Sequence, residues 1–180
     1  VWNHLYGTEH HAVVSVNLAE RQLVDPSFPD RVAEILDWAG VEPRQLGLEV
    51  GEELLLRRVD DSNRVLQRLS ALGCRLIVDD FGIAHGAFSR IRDIDLVDVV
   101  KIDRTIVAAL STDNVARAVV EATVSMANAL GLDVVAEGVE REEQRSLVLE
   151  LGIDLMQGFL FQPPIPADEY ERTGPIGLRL

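Results

Sequence analysis

Six apolar runs in this chain end in residues able to hold a divalent cation or a phosphate oxygen. Residues 13–16 lead to Asn17, residues 46–48 to Glu49, and residues 76–78 to Asp79 and Asp80. Residues 99–100 lead to Lys101 and Asp103, residues 134–136 to Glu137, and a weaker run at 155–156 to Gln157. Glu49, Asp79, Asp80 and Glu137 are carboxylates, and Asn17 adds a neutral oxygen donor. Hard cations such as Mg²⁺ or Mn²⁺ favour an oxygen-rich set of this kind. Carboxylates converging without a cation would repel and raise one another's pKa, a difficulty that a metal or metal pair removes. Two metals about 3.5–4 Å apart activate water and stabilise the leaving oxygen in phosphodiester cleavage. Lys101 would supply a point charge for a phosphate oxygen or the attacking water. Gln157 would position that nucleophile or a metal-bound water.

Each acid also has a plainer reading, because a carboxylate at a strand exit can simply cap the next helix. Asp80 before Phe81-Gly82 and Asp103 before Arg104 fit that role. The adjacent pair Asp79-Asp80 is harder to dismiss. Successive strand side chains point to opposite faces, so one of the two is expected inside and the other outward or at the rim. Other candidates carry less: His4, His10 and His11 lack zinc-ligand spacing, His85 fits a solvated loop, and Arg57-Arg58 a helix surface. Asp80-Phe81-Gly82 spells a kinase metal motif with no glycine-rich or His-Arg-Asp loop to accompany it. No Gly-x-Ser-x-Gly elbow is present, and Cys74 follows a helix end, so a serine or cysteine nucleophile has little support.

The elements that must position these groups alternate strand, helix, strand, helix. Short continuous apolar runs bounded by turn signals predict strands buried on both faces. Trp38-Ala39-Gly40-Val41, Ala71-Leu72-Gly73-Cys74, Ala129-Leu130-Gly131-Leu132 and Glu150-Leu151-Gly152-Ile153 read as helix, C-terminal glycine, next strand. Amphipathic stretches lie upstream, one at Val65, Leu66, Leu69 and Leu72, another at Val115, Val119, Ala122, Met126 and Leu130. Asp30, Asp61 and Asp113 suit N-caps or first turns. About six strand–helix units with no linker predict a parallel sheet with helices outside. A closed barrel of eight units typically needs about 250 residues, so 180 residues fall short of it. A doubly wound open sheet is the rival fold, and it too gathers its ligand at the strands' carboxyl ends.

Composition narrows the partners. A hydrophobic fraction of 47% and mean hydropathy of +0.11 give one sizeable core-forming domain rather than a disordered chain. Thirty acidic against 17 basic residues, a net charge of −13, argue against duplex nucleic acid. No apolar stretch approaches the roughly 20 residues that span a bilayer. Neither a signal peptide nor a cysteine pair is visible, and a cytoplasmic location is expected.

In their order the motifs resemble the EAL domain family. They are Val16-Asn17-Leu18, Leu48-Glu49-Val50-Gly51-Glu52, Val78-Asp79-Asp80-Phe81-Gly82, Lys101-Ile102-Asp103-Arg104, Val135-Ala136-Glu137-Gly138-Val139-Glu140 and Gln157-Gly158-Phe159. The resemblance implies an α/β fold, a TIM-like (β/α) barrel of EAL type, with residues 1–180 as a single EAL-type domain incomplete at the N-terminus. It implies metal-dependent hydrolysis of cyclic-di-GMP to linear pGpG, a Mg²⁺ or Mn²⁺ two-metal site, bacterial second-messenger signalling and a homodimer. Asn17, Glu49, Asp79, Asp80 and Glu137 match metal ligands. Lys101, Glu137 and Gln157 match catalytic positions, while Glu52 and Glu140 match loop-anchoring ones. The name-giving Glu-Ala-Leu triplet does not occur. The chain reads as starting in the helix before the second strand, which leaves a barrel edge open and predicts weak or no activity for these residues alone. Residues 80–88 also lack the family's usual Thr and two Ser, and Gly51 replaces the usual Thr. Two other readings stand beside hydrolysis: a non-catalytic receptor for cyclic-di-GMP or a protein partner, and an enolase-type enzyme with Lys101 as base.

Overall fold

The computed structural model describes residues 13–56, 60–82, 96–166 and 169. The histidines and Arg57-Arg58 singled out above, and the loop that follows Gly82, lie outside the described residues. The chain divides into two compact units, Val1–Val78 with Ser89–Asp98, and Asp79–Phe88 with Val99–Leu180.

The first unit runs β1 (Val14–Asn17), α1 (Glu20–Leu23), α2 (Phe28–Ala39), a 3₁₀ turn (Pro43–Gln45), β2 (Leu46–Gly51), α3 (Glu52–Leu56), α4 (Asp60–Leu72) and most of β3 (Arg75–Phe81). β1 and β2 are parallel, in a register from Val14 opposite Leu46 to Asn17 opposite Glu49. Two candidate site residues, Asn17 at the end of β1 and Glu49 within β2, therefore stand opposite each other. Val32 and Leu36 of α2, with Val65, Leu66 and Leu69 of α4, close over Leu48, Val50 and Leu76 to form a core. The α4 stripe is the one its periodicity predicts. Cys74 is buried beside it, and that burial pushes its thiol pKa up.

The second unit holds the end of β3, then β4 (Val99–Ile102), α5 (Arg104–Ala109), α6 (Asn114–Leu130), β5 (Asp133–Ala136), α7 (Glu142–Glu150) and β6 (Leu155–Met156). β4 pairs parallel with β5, and β5 with β6. Ile102, Val107, Val120, Ala136, Val139, Val148 and Ile153 make its core. All four glycines expected to end helices have positive φ: Gly40, Gly73, Gly131 and Gly152, at 63°, 94°, 72° and 83°. Asp113 caps α6 by accepting from the Val115 N–H at 2.7 Å, and Asp30 sits in the first turn of α2. Among the described residues no helix is long and apolar enough to cross a membrane.

Two expectations are corrected. β1 is not buried on both faces, since Val14 and Val16 are 50% and 44% exposed. Its described hydrogen-bonding neighbour is β2 alone, so its apolar run faces an open groove of about 540 Å³ lined by Val14, Val16, Val32, Ile35 and Leu36. On α6 the buried stripe is Ala116, Val120, Thr123 and Ala127, while Val115 and Leu130 are exposed. The helical period is right and its phase is shifted by one residue.

Candidate metal centre

The chemistry of the second unit gathers at three strand ends. Lys101 lies within β4 between Val100 and Ile102, and all three are buried. A buried ammonium needs anionic partners, and two of those of Lys101 are Glu137 and Asp79. Its Nζ stands 2.6 Å from Glu137 Oε1 and 3.1 Å from Asp79 Oδ1. Glu137 is the first residue after β5, where its N–H donates to the Ile102 carbonyl at 3.1 Å. Asp79 and Asp80 lie near the end of β3.

Strand alternation predicts one of Asp79 and Asp80 inside and the other outward or at the rim; Asp79 is partly buried and Asp80 exposed, yet their carboxylates stay close. Asp80 has φ of 55°, the one described non-glycine residue in the left-handed region, and this bends the strand so that both carboxylates stay together. Aspartate tolerates that conformation better than most residues. Ligand oxygens of Asp79, Asp80 and Glu137 all come within 4.8 Å of one another. Asp80 continues β3 and is not a helix cap. Asp103 is one: its Oδ1 accepts from the Thr105 N–H at 2.7 Å and from the Thr105 hydroxyl.

Partial burial, then the negative charges of Asp79 and Asp103, push the Asp80 pKa up, with Lys101 opposing. Three carboxylates and one ammonium leave an excess of negative charge. Asp79 Oδ1 is buried and, although 3.1 Å from the Lys101 ammonium, accepts no well-aligned hydrogen bond. Crowded carboxylate oxygens with incomplete donor coverage fit a hard divalent cation. Strain and repulsion together make a stability prediction. Asp80→Gly removes both and is expected to raise the metal-free melting temperature by about 2–4 °C, equivalent to about 1 kcal/mol. Thermal unfolding in EDTA reads this out, and a lower melting point would refute it.

The remaining candidates are spread over both units. Asn17, exposed, ends β1, and Glu49, 8% exposed, lies opposite it within β2, both in the first unit. Glu52 opens α3 and is buried, but the loop it is expected to anchor lies outside the described residues. The Glu140 and Gln157 side chains are exposed. The Gln157 backbone is fixed, with its N–H donating to Ala136 and its carbonyl accepting from Val139. A buried residue that the strand-end search misses is Gln144, whose Oε1 accepts from both the Glu140 and Arg141 N–H groups at 2.9 Å. Its only sequence signal is a Gln at the third position of a helix, where a side chain can reach back to the helix start.

Alternating parallel strands and helices define an α/β fold that carries a cation-type cluster in its second unit, and its likeness to solved EAL structures makes it a TIM-like (β/α) barrel. The EAL domain model matches residues 2–164, and the chain belongs to that family. The cyclic di-GMP phosphodiesterase NbdA of Pseudomonas aeruginosa is 36% identical over 163 residues, 91% of this chain and 21% of NbdA. The bifunctional diguanylate cyclase/cyclic di-GMP phosphodiesterase MucR of the same species is 35% identical over 87% of this chain and 23% of MucR. The chain thus spans about a fifth to a quarter of these curated relatives. The solved MucR phosphodiesterase in complex with c-di-GMP superposes with a TM-score of 0.80, covering 87% of this chain and 63% of that one, at 35% identity. Klebsiella pneumoniae BlrP1, solved as a calcium/cy-diGMP complex, gives 0.77 at 31% identity, covering 86% and 39%.

Proposed function

We propose that this chain is the cation-binding part of a cyclic-di-GMP phosphodiesterase, opening the cyclic dinucleotide to linear pGpG. The observation that carries the reading is the Asp79, Asp80 and Glu137 cluster with Lys101 Nζ 2.6 Å from Glu137. In this reading Asp79, Asp80 and Glu137, with Asn17 and Glu49, hold Mg²⁺ or Mn²⁺. Bound there, the cations neutralise phosphate charge and lower the pKa of water. Lys101, held between Asp79 and Glu137, keeps a positive charge where the attacking water and a phosphate oxygen meet. Gln157, exposed on a fixed backbone, orients that water, and Glu52 and Glu140 hold the neighbouring loops. The family match runs through both compact units, which supports treating residues 1–180 as one EAL-type domain in bacterial signalling. A homodimer, in the cytoplasm, belongs to the same reading, and the apolar edge at Val14 and Val16 is a reason to look for one.

The test is a chromatographic time course of cyclic-di-GMP with Mn²⁺, run against an EDTA control. It is run on residues 1–180 and on a fusion in which the first strand of an EAL-family member precedes Val1. The expected result is Mn²⁺-dependent appearance of pGpG from the fusion and slow or no turnover by residues 1–180 alone. Tight binding of cyclic-di-GMP without product from the fusion would replace the enzyme with a receptor.

A further inference from the structure

Glu137 sits at the start of a four-residue exit loop whose ends are held differently. At the near end the Glu137 N–H donates to Ile102 O at 3.1 Å. In the middle, Val139 is fully buried, donates to Gln157 O at 3.0 Å and accepts from Leu160 N at 3.1 Å. At the far end two successive N–H groups, of Glu140 and Arg141, converge on the single Oε1 of Gln144. Arg141 is the N-cap of α7, yet its own side chain makes no capping bond and offers no acceptor. Gln144 is 5% exposed, so its amide is committed to this contact rather than to solvent.

We propose that Gln144 is a positioning residue for Glu137. By tying the loop's far end to the first turn of α7, it holds the carboxylate where Asp79, Asp80 and Lys101 need it. A carbonyl oxygen has two lone pairs, enough for both N–H groups. Without it two N–H donors lose their partner, and the loop gains freedom three residues from a carboxylate whose placement has a tolerance of about 0.5 Å. The role rests on the metal reading only in its consequence for cation affinity; the tether itself is independent of that reading.

The experiment compares Gln144→Asn, which retracts the acceptor by one methylene, with Gln144→Glu, which keeps it. Val120→Ala, a core truncation in the same unit, controls for general destabilisation. Amide hydrogen exchange at Glu137, Glu140 and Arg141 and titration with Mn²⁺ alone are the readouts. In Gln144→Asn all three amides are expected to exchange at least about tenfold faster and Mn²⁺ to bind about tenfold more weakly, the range for lost support of a ligand. Gln144→Glu should restore both. Faster exchange at Glu140 and Arg141 with Glu137 unchanged overturns the proposal, as does equal Mn²⁺ weakening in Val120→Ala. If the unaltered protein binds no Mn²⁺, the metal reading falls and the Glu137 amide alone decides the tether.

Discussion

Glu137→Gln is expected to reduce metal-dependent turnover of cyclic-di-GMP about a thousandfold in the fusion that adds a first strand before Val1, equivalent to about 4 kcal/mol of transition-state stabilisation. The substitution is nearly isosteric, so the loss comes from charge and lone pairs. Glu137 Oε1 contacts the Lys101 ammonium at 2.6 Å and lies in the Asp79 and Asp80 cluster. An amide there removes one negative charge from a site proposed to balance divalent cations. It also directs either an NH₂ donor or a weak neutral acceptor at a cationic neighbour. Folding should suffer much less. Lys101 keeps Asp79 at 3.1 Å, the carboxylate repulsion is relieved, and at 17% exposure the Glu137 side chain is partly screened by water. A melting temperature within about 3 °C of the unaltered protein, about 1 kcal/mol, together with weakened Mn²⁺ binding in calorimetry, would assign the loss to the site. Activity above a tenth of the original would sink the assignment of Glu137.

Why that residue could be found from sequence, and others could not, is a matter of which signals are local. β4 reads as a buried strand because Val99, Val100 and Ile102 are buried, and a lysine inside such a run must have anionic partners. Glu137 follows a second run that pairs with the first, Lys101 opposite Val135, so the two strand exits are neighbours. Asp79 and Asp80 are legible as members of one ligand set, but the backbone turn that keeps both carboxylates together is not: strand alternation gives no sign of the positive φ of Asp80. The α6 face is misphased because hydrophobic size marks the stripe poorly when two of its four buried residues are Ala116 and Ala127. The exposure of Val14 and Val16 depends on what lies beside β1, which a run of valines cannot report. Gln144 was missed for a related reason: its partners are backbone N–H groups, which are the same in every sequence.

Gly158 makes the same point with a measurable cost. It lies between Gln157 and Phe159, and the family resemblance marks the motif for Gln157, not for the glycine. A Cβ at position 158 would lie 2.2 Å from Val139 O, 2.4 Å from its N and 2.7 Å from its carbonyl carbon. These are backbone atoms, so no rotamer can relieve the clash. Nor can the segment easily shift, since Val139 N–H bonds Gln157 O and Val139 O accepts from Leu160. Overpacking usually costs about 1–3 kcal/mol, and giving up those hydrogen bonds adds about 0.5–1.5 kcal/mol each. Gly158→Ala should therefore lose about 3–5 kcal/mol and, at about 2–4 °C per kcal/mol for a chain of this size, melt about 6–20 °C below the original. Gly131→Ala is the comparison: its φ is 72° but nothing lies within 4 Å of the added Cβ, so only left-handed strain of about 1–2 kcal/mol applies. Equal losses at the two positions would mean that the chain after β6 does not press on Val139. A loss several times larger at Gly158 would show that the Gln157 backbone is anchored against the same turn that carries Glu137.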